Sequence, residues 1–178
     1  MEMLTSGRID LTVKSYYEKT SHKTACLIAA CCKGGAIVSE ASDQDIENIH
    51  RYGMNLGIAF QIIDDVLDYT ENQETIGKPA GNDLRQGMVT LPLIYALEEK
   101  PRNGHYQEVY NFLNGITHSE EDIRTIVNWV VTGSGVQRSL SDADIYANKA
   151  REALAYFSPS QDRQILDELI DFVVMRKH

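Results

Sequence analysis

Residues 60–78 of the chain read FQIIDDVLDYTENQETIGK and contain three aspartates, Asp64, Asp65 and Asp68, inside an apolar run. Carboxylates are seldom buried in proteins unless they are paired or bind a metal. The apolar residues on both sides of the acids predict a helix that is buried on most of its sides. The segment therefore indicates an acidic site inside a helical fold.

The spacing of the acids predicts which of them share a helix face. Gly57, Gln61, Asp64 and Asp68 are separated by steps of 4, 3 and 4 residues, so they lie on one face, with Asp65 beside them. Like charges one turn apart repel each other, and a divalent cation would remove that cost. Oxygen ligands suit Mg²⁺, so we predict a cavity-facing magnesium site. The alternative is a solvated acidic face on an amphipathic helix.

The rest of the chain predicts an all-α fold of about seven helices with no sheet. Apolar residues recur at helical spacing, and no alternating β-branched run or hairpin signal is present. We predict helices at Val13 to Glu40, Ser42 or Asp43 to Tyr69, Leu91 to Glu99, 105–114, 120–132, 136–157 and 160–176.

Individual glycines, one long loop and one pair of capping residues predict further local features. Gly34 and Gly35 are expected to allow close packing, and Gly57 is expected to leave room for something to approach near Gln61. Residues 70–88 form a polar loop of unusual length, which is typical of a binding loop. Ser119 and Asp122 have the spacing of a capping box.

Composition bounds the possible functions. The 178 residues suffice for one domain with a sizeable core, and the net charge of −9 argues against a nucleic-acid binder. The apolar runs are shorter than the roughly 20 residues of a membrane span. Three cysteines, Cys26, Cys31 and Cys32, are expected to be reduced thiols in a helix core, which fits a cytoplasmic or organelle-matrix setting.

Two basic segments could accompany the acids. Residues 19–25, KTSHKTA, place Lys19 and Lys23 on one helix face, and lysine with a neighbouring threonine hydroxyl can bind phosphate. Residues 77–83, GKPAGND, offer Lys78 for phosphate oxygens, while Asp83 could orient Lys78 or cap the next segment. Each segment alone is as compatible with an exposed polar face or an ordinary loop.

In combination, these motifs resemble the trans-type polyprenyl diphosphate synthases, most closely the long-chain solanesyl- or heptaprenyl-type members. The resemblance covers nearly the whole chain and is clearest over residues 1–100. The matching motifs, in order, are Lys23-Thr24-Ala25, the Gly-x-x-Phe-Gln-x-x-Asp-Asp-x-x-Asp pattern of residues 57–68, Gly77-Lys78, Asp83 and Thr90-Leu91-Pro92. Met88 departs from the pattern, because many members have a diphosphate-contacting lysine there.

The resemblance implies an isoprenoid-synthase-type helical bundle, of which residues 1–178 form the C-terminal part. Members are typically about twice this length and carry a first aspartate-rich motif, which would lie upstream of Met1. The implied reaction is the Mg²⁺-dependent head-to-tail condensation of an allylic diphosphate with isopentenyl diphosphate. The 178-residue chain by itself is then expected to be inactive.

The resemblance also implies roles for individual residues. Asp64 is the strongest candidate metal ligand, and Asp65 and Asp68 would bind the metal directly or through water. Lys23 and Lys78 would contact the allylic diphosphate. Thr24 and Gln61 would hold the substrate near the developing carbocation.

Two other hypotheses remain open at this point. The chain could be a non-catalytic subunit that stabilises or tunes a hetero-oligomeric prenyl synthase, or it could be an unrelated helical scaffold with chance motif matches.

The expected partners are the two diphosphate substrates and either a second copy, as in a homodimer, or a complementing N-terminal half. We expect no nucleic-acid partner, and membrane proximity for the product only. The expected location is the cytoplasm, or a mitochondrial or plastid matrix if a transit peptide was removed.

Overall fold

A computed structural model of the chain describes residues 12–70, 80–99, 105–116 and 119–176, and every regular element within these ranges is helical. The all-α fold class is therefore confirmed. The elements are α1 Val13–Thr20, a π-helical turn Ser21–Ala25, α2 Cys26–Val38, α3 Asp43–Thr70, α4 Asn82–Arg85, α5 Leu91–Glu98, α6 His105–Leu113, α7 Glu120–Thr132, α8 Gly135–Leu154 and α9 Gln161–Met175.

The predicted first helix is continuous but not uniform. It begins after Thr12, whose side chain accepts a hydrogen bond from the Ser15 amide at 3.2 Å, as an N-cap should. The π-helical turn Ser21–Ala25 interrupts the α-helical pattern at the segment that carries Lys23 and Thr24. Single π turns inside helices occur frequently at functional sites.

Helix α3 is the central element of the described fold. It begins after Ser42, whose hydroxyl accepts a hydrogen bond from the Asp45 amide at 3.2 Å, and it extends for 28 residues. It packs against α2 on one side and against α8 and α9 on others. Apolar residues on several faces of α3 are buried for this reason, including Leu56, Ile62 and Val66.

Close packing of α2 on α3 depends on glycines that the sequence analysis did not select for it. A methyl group added at Gly57 would lie 2.6 Å from the Ala25 Cα, and one at Gly53 would lie 2.8 Å from the Ala29 Cα. The prediction for Gly34 and Gly35 is wrong within the described chain, because a methyl group added there meets nothing within 4 Å. The space that Gly57 leaves is filled by the preceding helical segment.

The later helices follow the predicted boundaries closely. The largest difference is at the end of α8, which was expected at residue 157 and occurs at Leu154. Pro92 lies in the first turn of α5, and the capping box of Ser119 and Asp122 at the start of α7 is confirmed. The described part of the predicted 70–88 loop contains the additional one-turn helix α4.

Two further observations concern the surface. The three cysteines are free thiols, but Cys26 and Cys31 are exposed and only Cys32 is partly buried, so their placement in a helix core was wrong for two of them. Among the described residues, no helix is both long enough and apolar enough to cross a bilayer.

Candidate functional site

A cleft of about 420 Å³ lies where α1 and the π-helical turn face α3 and the 83–90 segment. It brings together the lysine segment, the aspartate-rich helix and residues 83–90. The described residues that line it are Tyr16, Lys19, Thr20, Lys23, Gln61, Asp64, Asp65, Asp83, Gly87, Met88, Val89 and Thr90. Three segments that are far apart in sequence thus form one site.

Asp65 is the buried acid of this cleft, with 4% of its surface exposed. The Tyr16 hydroxyl donates to its Oδ2 at 2.6 Å, and the Gln61 Nε2 donates to its Oδ1 at 2.8 Å. The Thr24 hydroxyl donates to the Gln61 Oε1 at 2.8 Å. This chain of hydrogen bonds holds both Gln61 and Asp65 in fixed orientations.

Burial raises the pKa of Asp65 to about 7, although the hydrogen bonds from Tyr16 and Gln61 oppose the rise and the charges of Asp83 and Asp64 add to it. Burial also raises the pKa of the Tyr16 hydroxyl well above its ordinary value, and the Asp65 charge adds to that effect. The tyrosine therefore stays protonated and acts as a donor. A cation entering the cleft would favour the ionised form of Asp65.

Asp64 occupies a different environment from the buried one that the sequence analysis expected. Its side chain is 54% exposed, at the edge of the cleft, and its Oδ1 lies 3.9 Å from the Arg176 Nη2. Arg176 also lies over the Phe60 ring, 5.1 Å from the ring centre. The residue predicted as the strongest metal ligand is thus accessible from solvent, and its role stays a prediction.

Asp68 lies next to the cleft rather than among its lining residues. Its carboxylate accepts hydrogen bonds from the backbone amides of Asn82 and Asp83, both at 3.1 Å, and its own carbonyl accepts one from the Gly81 amide at 2.8 Å. Burial raises the pKa of Asp68, while the two amide donors oppose this. Asp68 therefore anchors the start of α4 and so positions Asp83.

Asp83 is a fourth carboxylate, which the sequence analysis did not include in the metal site. Burial raises its pKa to about 6, with further contributions from the charges of Asp68 and Asp64 and an opposing one from Lys23. The sequence analysis had noted Asp83 at the end of segment 77–83, GKPAGND. Its nearness to Asp64 and Asp68 is a tertiary feature that the motif spacing alone did not predict.

The basic residues border the acidic ones. Lys19 and Lys23 both line the cleft and are exposed. Lys19 was expected on the same helix face as Lys23 but had no separate role. The prediction for Lys78 lies outside the described residues. Thr24 is not among the lining residues, because its hydroxyl is directed to Gln61.

The donor set of the cleft fits a hard divalent cation that shares its coordination with a bound ligand. Asp64, Asp65 and Asp83 supply carboxylate oxygens, which Mg²⁺ prefers. In the parts of the chain that the structure describes, no group of three or more His, Cys, Asp or Glu side chains could hold a metal ion alone. Mg²⁺ usually keeps several waters and uses one or two carboxylates together with substrate phosphates.

Comparison with solved structures identifies the class of fold. The chain resembles the crystal structure of a polyprenyl synthase from Caulobacter crescentus complexed with calcium and isoprenyl diphosphate. The TM-score is 0.87 at 36% sequence identity, and the match covers 98% of this chain and 53% of that one. The fold is thus a helical bundle of the isoprenoid-synthase type.

Sequence comparison then assigns the family. The family model described as "Polyprenyl synthetase" matches residues 1–130, so the chain belongs to the polyprenyl synthetase family. This confirms the resemblance and removes the hypothesis of an unrelated scaffold.

Two curated relatives show how much of a family member is present. A prenyl transferase from Synechocystis is 37% identical over 169 residues, covering 95% of this chain and 50% of the relative. The heptaprenyl diphosphate synthase component 2 of Geobacillus stearothermophilus is 32% identical over 171 residues, covering 96% of this chain and 52% of the relative. The chain spans about half the length of the curated relatives it matches.

Proposed function

We propose that this chain is the diphosphate-binding half of a polyprenyl diphosphate synthase. Its cleft would bind the diphosphate group of an allylic prenyl substrate together with Mg²⁺. The observation that carries the proposal is the meeting of two lysines, Lys19 and Lys23, with three carboxylates, Asp64, Asp65 and Asp83, in one cleft. The relative solved with calcium and isoprenyl diphosphate supports a divalent metal and a prenyl diphosphate as ligands.

The electrostatics of the cleft require that metal and diphosphate bind together. Three carboxylates would repel an anionic ligand, and two lysines compensate for only part of their charge. A divalent cation reverses the local sign of the field and, when bound, would neutralise charge that develops on a departing diphosphate. We therefore expect little diphosphate binding without the metal.

The residues of the cleft would have different roles. Lys19 and Lys23 would contact phosphate oxygens from the side opposite the acids, as point charges. Asp64 and Asp83 would face the cation, and Asp65, held by Tyr16 and Gln61, would complete the acidic wall. Lys78 remains a predicted phosphate contact.

Thr24 and Gln61 would act near the reacting carbon. The Thr24 hydroxyl and the Asp65 carboxylate hold the Gln61 amide so that it cannot rotate freely. A fixed amide dipole stabilises a developing positive charge at no cost of reorganisation during the reaction. We propose this role for Gln61 and a positioning role for Thr24.

In the intact enzyme the proposed reaction is a head-to-tail condensation. The bond between the allylic carbon and the diphosphate oxygen breaks, and the diphosphate leaves with the electron pair. The double bond of isopentenyl diphosphate supplies the electrons for a new carbon–carbon bond, and loss of a proton restores a double bond.

Isothermal titration calorimetry with farnesyl diphosphate tests the binding proposal. We expect binding in the presence of Mg²⁺ and its loss when EDTA removes the metal. Lys23→Ala should weaken binding by about tenfold or more, because it removes a charge-assisted contact to phosphate. Asp64→Asn should raise the Mg²⁺ concentration that is needed for binding, because it removes a carboxylate that faces the cation.

Lys14→Ala is the matched control for Lys23→Ala. Lys14 is a solvent-exposed lysine on α1 that pairs only at the surface with Glu18, 3.8 Å away, and it does not line the cleft. This variant should bind farnesyl diphosphate like the unmodified chain. Binding that is independent of Mg²⁺, or equal losses in both lysine variants, would refute the assignment of the cleft.

A second candidate function is that of one component in a multi-component synthase. The Geobacillus relative is named as component 2 of its enzyme, which indicates at least one other component there. By analogy, this chain would stabilise or tune a complete synthase. Preserved metal-dependent diphosphate binding would favour the catalytic half, and its absence in a correctly folded chain would favour the non-catalytic component.

A further inference from the structure

The one-turn helix α4, which carries Asp83, is too short to be stable by itself. It contains four residues, Asn82–Arg85. Isolated helices shorter than about 12 residues are marginal in water, so the orientation of α4 depends on contacts with other elements. Within the described ranges, α4 is held by hydrogen bonds from two directions: its first amides bond to Asp68 of α3, and its last residue bonds to α7.

Arg85 connects α4 to α7. Its Nε and Nη2 donate to the Oε1 and Oε2 of Glu120 at 3.0 and 2.6 Å, and its Nη1 donates to the Ala80 carbonyl at 2.8 Å. A bidentate bond between a guanidinium and a carboxylate restricts both distance and orientation. Arg85 thus joins both ends of segment 80–85 to the first turn of α7.

Apolar packing holds the same segment against α7. The Leu84 side chain is fully buried and belongs to one core cluster with Ile123 and Ile126. Gly81 has a φ of +80°, and a methyl group added there would lie 2.7 Å from the Cγ2 of Val127. The segment therefore lies directly on α7, while α3 accepts its amide hydrogen bonds.

We propose that Arg85 and Glu120 are positioning residues that hold Asp83 at the cleft. The Asp83 amide bonds to Asp68, and the Arg85–Glu120 pair fixes the other end of α4. Neither member of the pair lines the cleft, so both act through Asp83 and neither contacts the cation. The inference rests on the proposed function, because it concerns a carboxylate that would face Mg²⁺.

The exposure of the pair indicates a local role rather than a global one. The Arg85 side chain is 21% exposed and that of Glu120 is 61% exposed. Ion pairs with this exposure contribute little to the free energy of unfolding, because solvent screens their charges. The restricted geometry of a bidentate contact can still fix an orientation. We therefore expect the pair to affect the metal site more than it affects unfolding.

Isothermal titration calorimetry with farnesyl diphosphate at a series of Mg²⁺ concentrations tests the inference. Arg85→Gln should raise the Mg²⁺ concentration required for half-maximal binding by about three- to tenfold, because groups that orient a metal ligand contribute to metal affinity without touching the metal. The charge of Arg85 by itself predicts the opposite direction, since removal of a cation two residues from Asp83 should favour Mg²⁺. The direction of the change thus separates positioning from electrostatics.

Glu120→Ala should raise the Mg²⁺ requirement similarly, and the double variant should require no more Mg²⁺ than either single variant, because both substitutions break the same contact. Glu121→Ala is the matched control. Glu121 has the same charge in the same first turn of α7 but points about 100° away from Glu120. It should bind farnesyl diphosphate like the unmodified chain, and urea unfolding should show all these variants folded. A Mg²⁺ requirement that Arg85→Gln leaves unchanged or lowers would overturn the inference.

Hydrogen exchange in the metal-free chain tests the role of the pair separately from ligand binding. The amides of Asn82 and Asp83, which donate to Asp68, should exchange at least about threefold faster in Arg85→Gln and Glu120→Ala, whereas those of α9 should not change. Unchanged exchange at these two amides would refute the inference. A chain that bound no farnesyl diphosphate at any Mg²⁺ concentration would instead refute the proposed function, and the role of the pair at the cation would fail with it.

Discussion

At the scale of single residues, the acids of the cleft differ because their surroundings differ. Asp64, Asp65 and Asp68 lie within five positions on one helix, yet one is exposed, one is buried and hydrogen-bonded to two side chains, and one caps another helix. Their repulsion is shared with Asp83 rather than confined to the motif. Replacing a single acid should therefore change the titration of its neighbours.

The raised pKa of Asp83 predicts a pH dependence of stability in the metal-free chain. Its pKa is about 6 in the folded chain and 3.8 ordinarily, so between these values the folded state binds more protons than the unfolded state. The contribution of Asp83 to the free energy of unfolding is fully present below about pH 4 and is lost as the pH rises through 6. Asp83→Asn should remove this part of the dependence, on the order of 1 kcal/mol after allowance for solvent screening.

Urea unfolding in EDTA at pH 4, 5, 6 and 7 measures this effect. Asp162→Asn, at an exposed acid in the first turn of α9, serves as the control and should follow the unmodified chain. The free energy of unfolding of Asp83→Asn could instead fall with rising pH as steeply as that of the unmodified chain. That result would show that Asp83 does not contribute to the pH dependence of stability.

At the scale of helices, the packing of the π-helical turn and α2 on α3 depends on which glycines face a neighbour. Gly57→Ala should lower the free energy of unfolding by about 1–3 kcal/mol, because the added methyl group would lie 2.6 Å from a backbone atom of Ala25. The same substitution at Gly35 should raise it by about 0.5–1 kcal/mol, because that position is open and alanine is the better helix former.

Thermal or urea unfolding of the two variants measures how the same Gly→Ala substitution changes the free energy of unfolding at two sites. The pair separates steric contact from helix propensity, since propensity alone predicts stabilisation at both positions. Equal stabilisation of Gly57→Ala and Gly35→Ala would mean that the two helices can move apart at no cost.

A cluster of hydrogen-bonded polar side chains connects helices α1, α5 and α8. The Tyr17 hydroxyl of α1 donates to the Asp142 Oδ2 of α8 at 2.5 Å, and the Tyr95 hydroxyl of α5 donates to the same oxygen. Burial and the bond to Asp142 raise the pKa of both tyrosines, so both remain donors. Tyr17 adjoins Tyr16, whose ring lies 5.5 Å away and whose hydroxyl reaches the cleft.

We expect Asp142→Ala to destabilise the chain by about 1–3 kcal/mol, because two partly buried hydroxyls lose a charged acceptor. A double-mutant cycle with Tyr17→Phe measures the coupling by urea unfolding. The effects should be clearly less than additive. Strict additivity would indicate that the two side chains do not interact in solution.

At the scale of the whole molecule, we propose that the chain supplies one wall of the active site of a longer enzyme. The cleft presents one aspartate-rich helix, and the curated relatives are about twice as long. We expect the 178-residue chain to bind the allylic diphosphate but to form no elongated prenyl product from farnesyl diphosphate, isopentenyl diphosphate and Mg²⁺. Chromatography of products made from labelled isopentenyl diphosphate measures this, and turnover by the chain alone would contradict it.

The sequence predicted the helices well because their signals are local. The capping residues Ser42 and Ser119 and the apolar periodicity act within a few residues of chain, so the predicted boundaries differ little from those observed. The motif order in residues 23–92 was equally informative about the family. The glycine predictions failed because whether a glycine faces a neighbour depends on the direction of the next helix.

What the sequence by itself determined is the all-α class, the family and the residue types available for the proposed diphosphate chemistry, since periodicity and motif spacing are properties of the linear chain. The tertiary structure alone decided that Tyr16 reaches Asp65, that Thr24 holds Gln61, that Asp68 anchors α4, and that Asp83 joins the acids of the cleft. Among the described residues, it also left Leu27, Ile37 and Val38 of α2 exposed. These features depend on contacts between residues far apart in sequence, and only the packing of α1, α3 and α4 brings those residues within reach of one another.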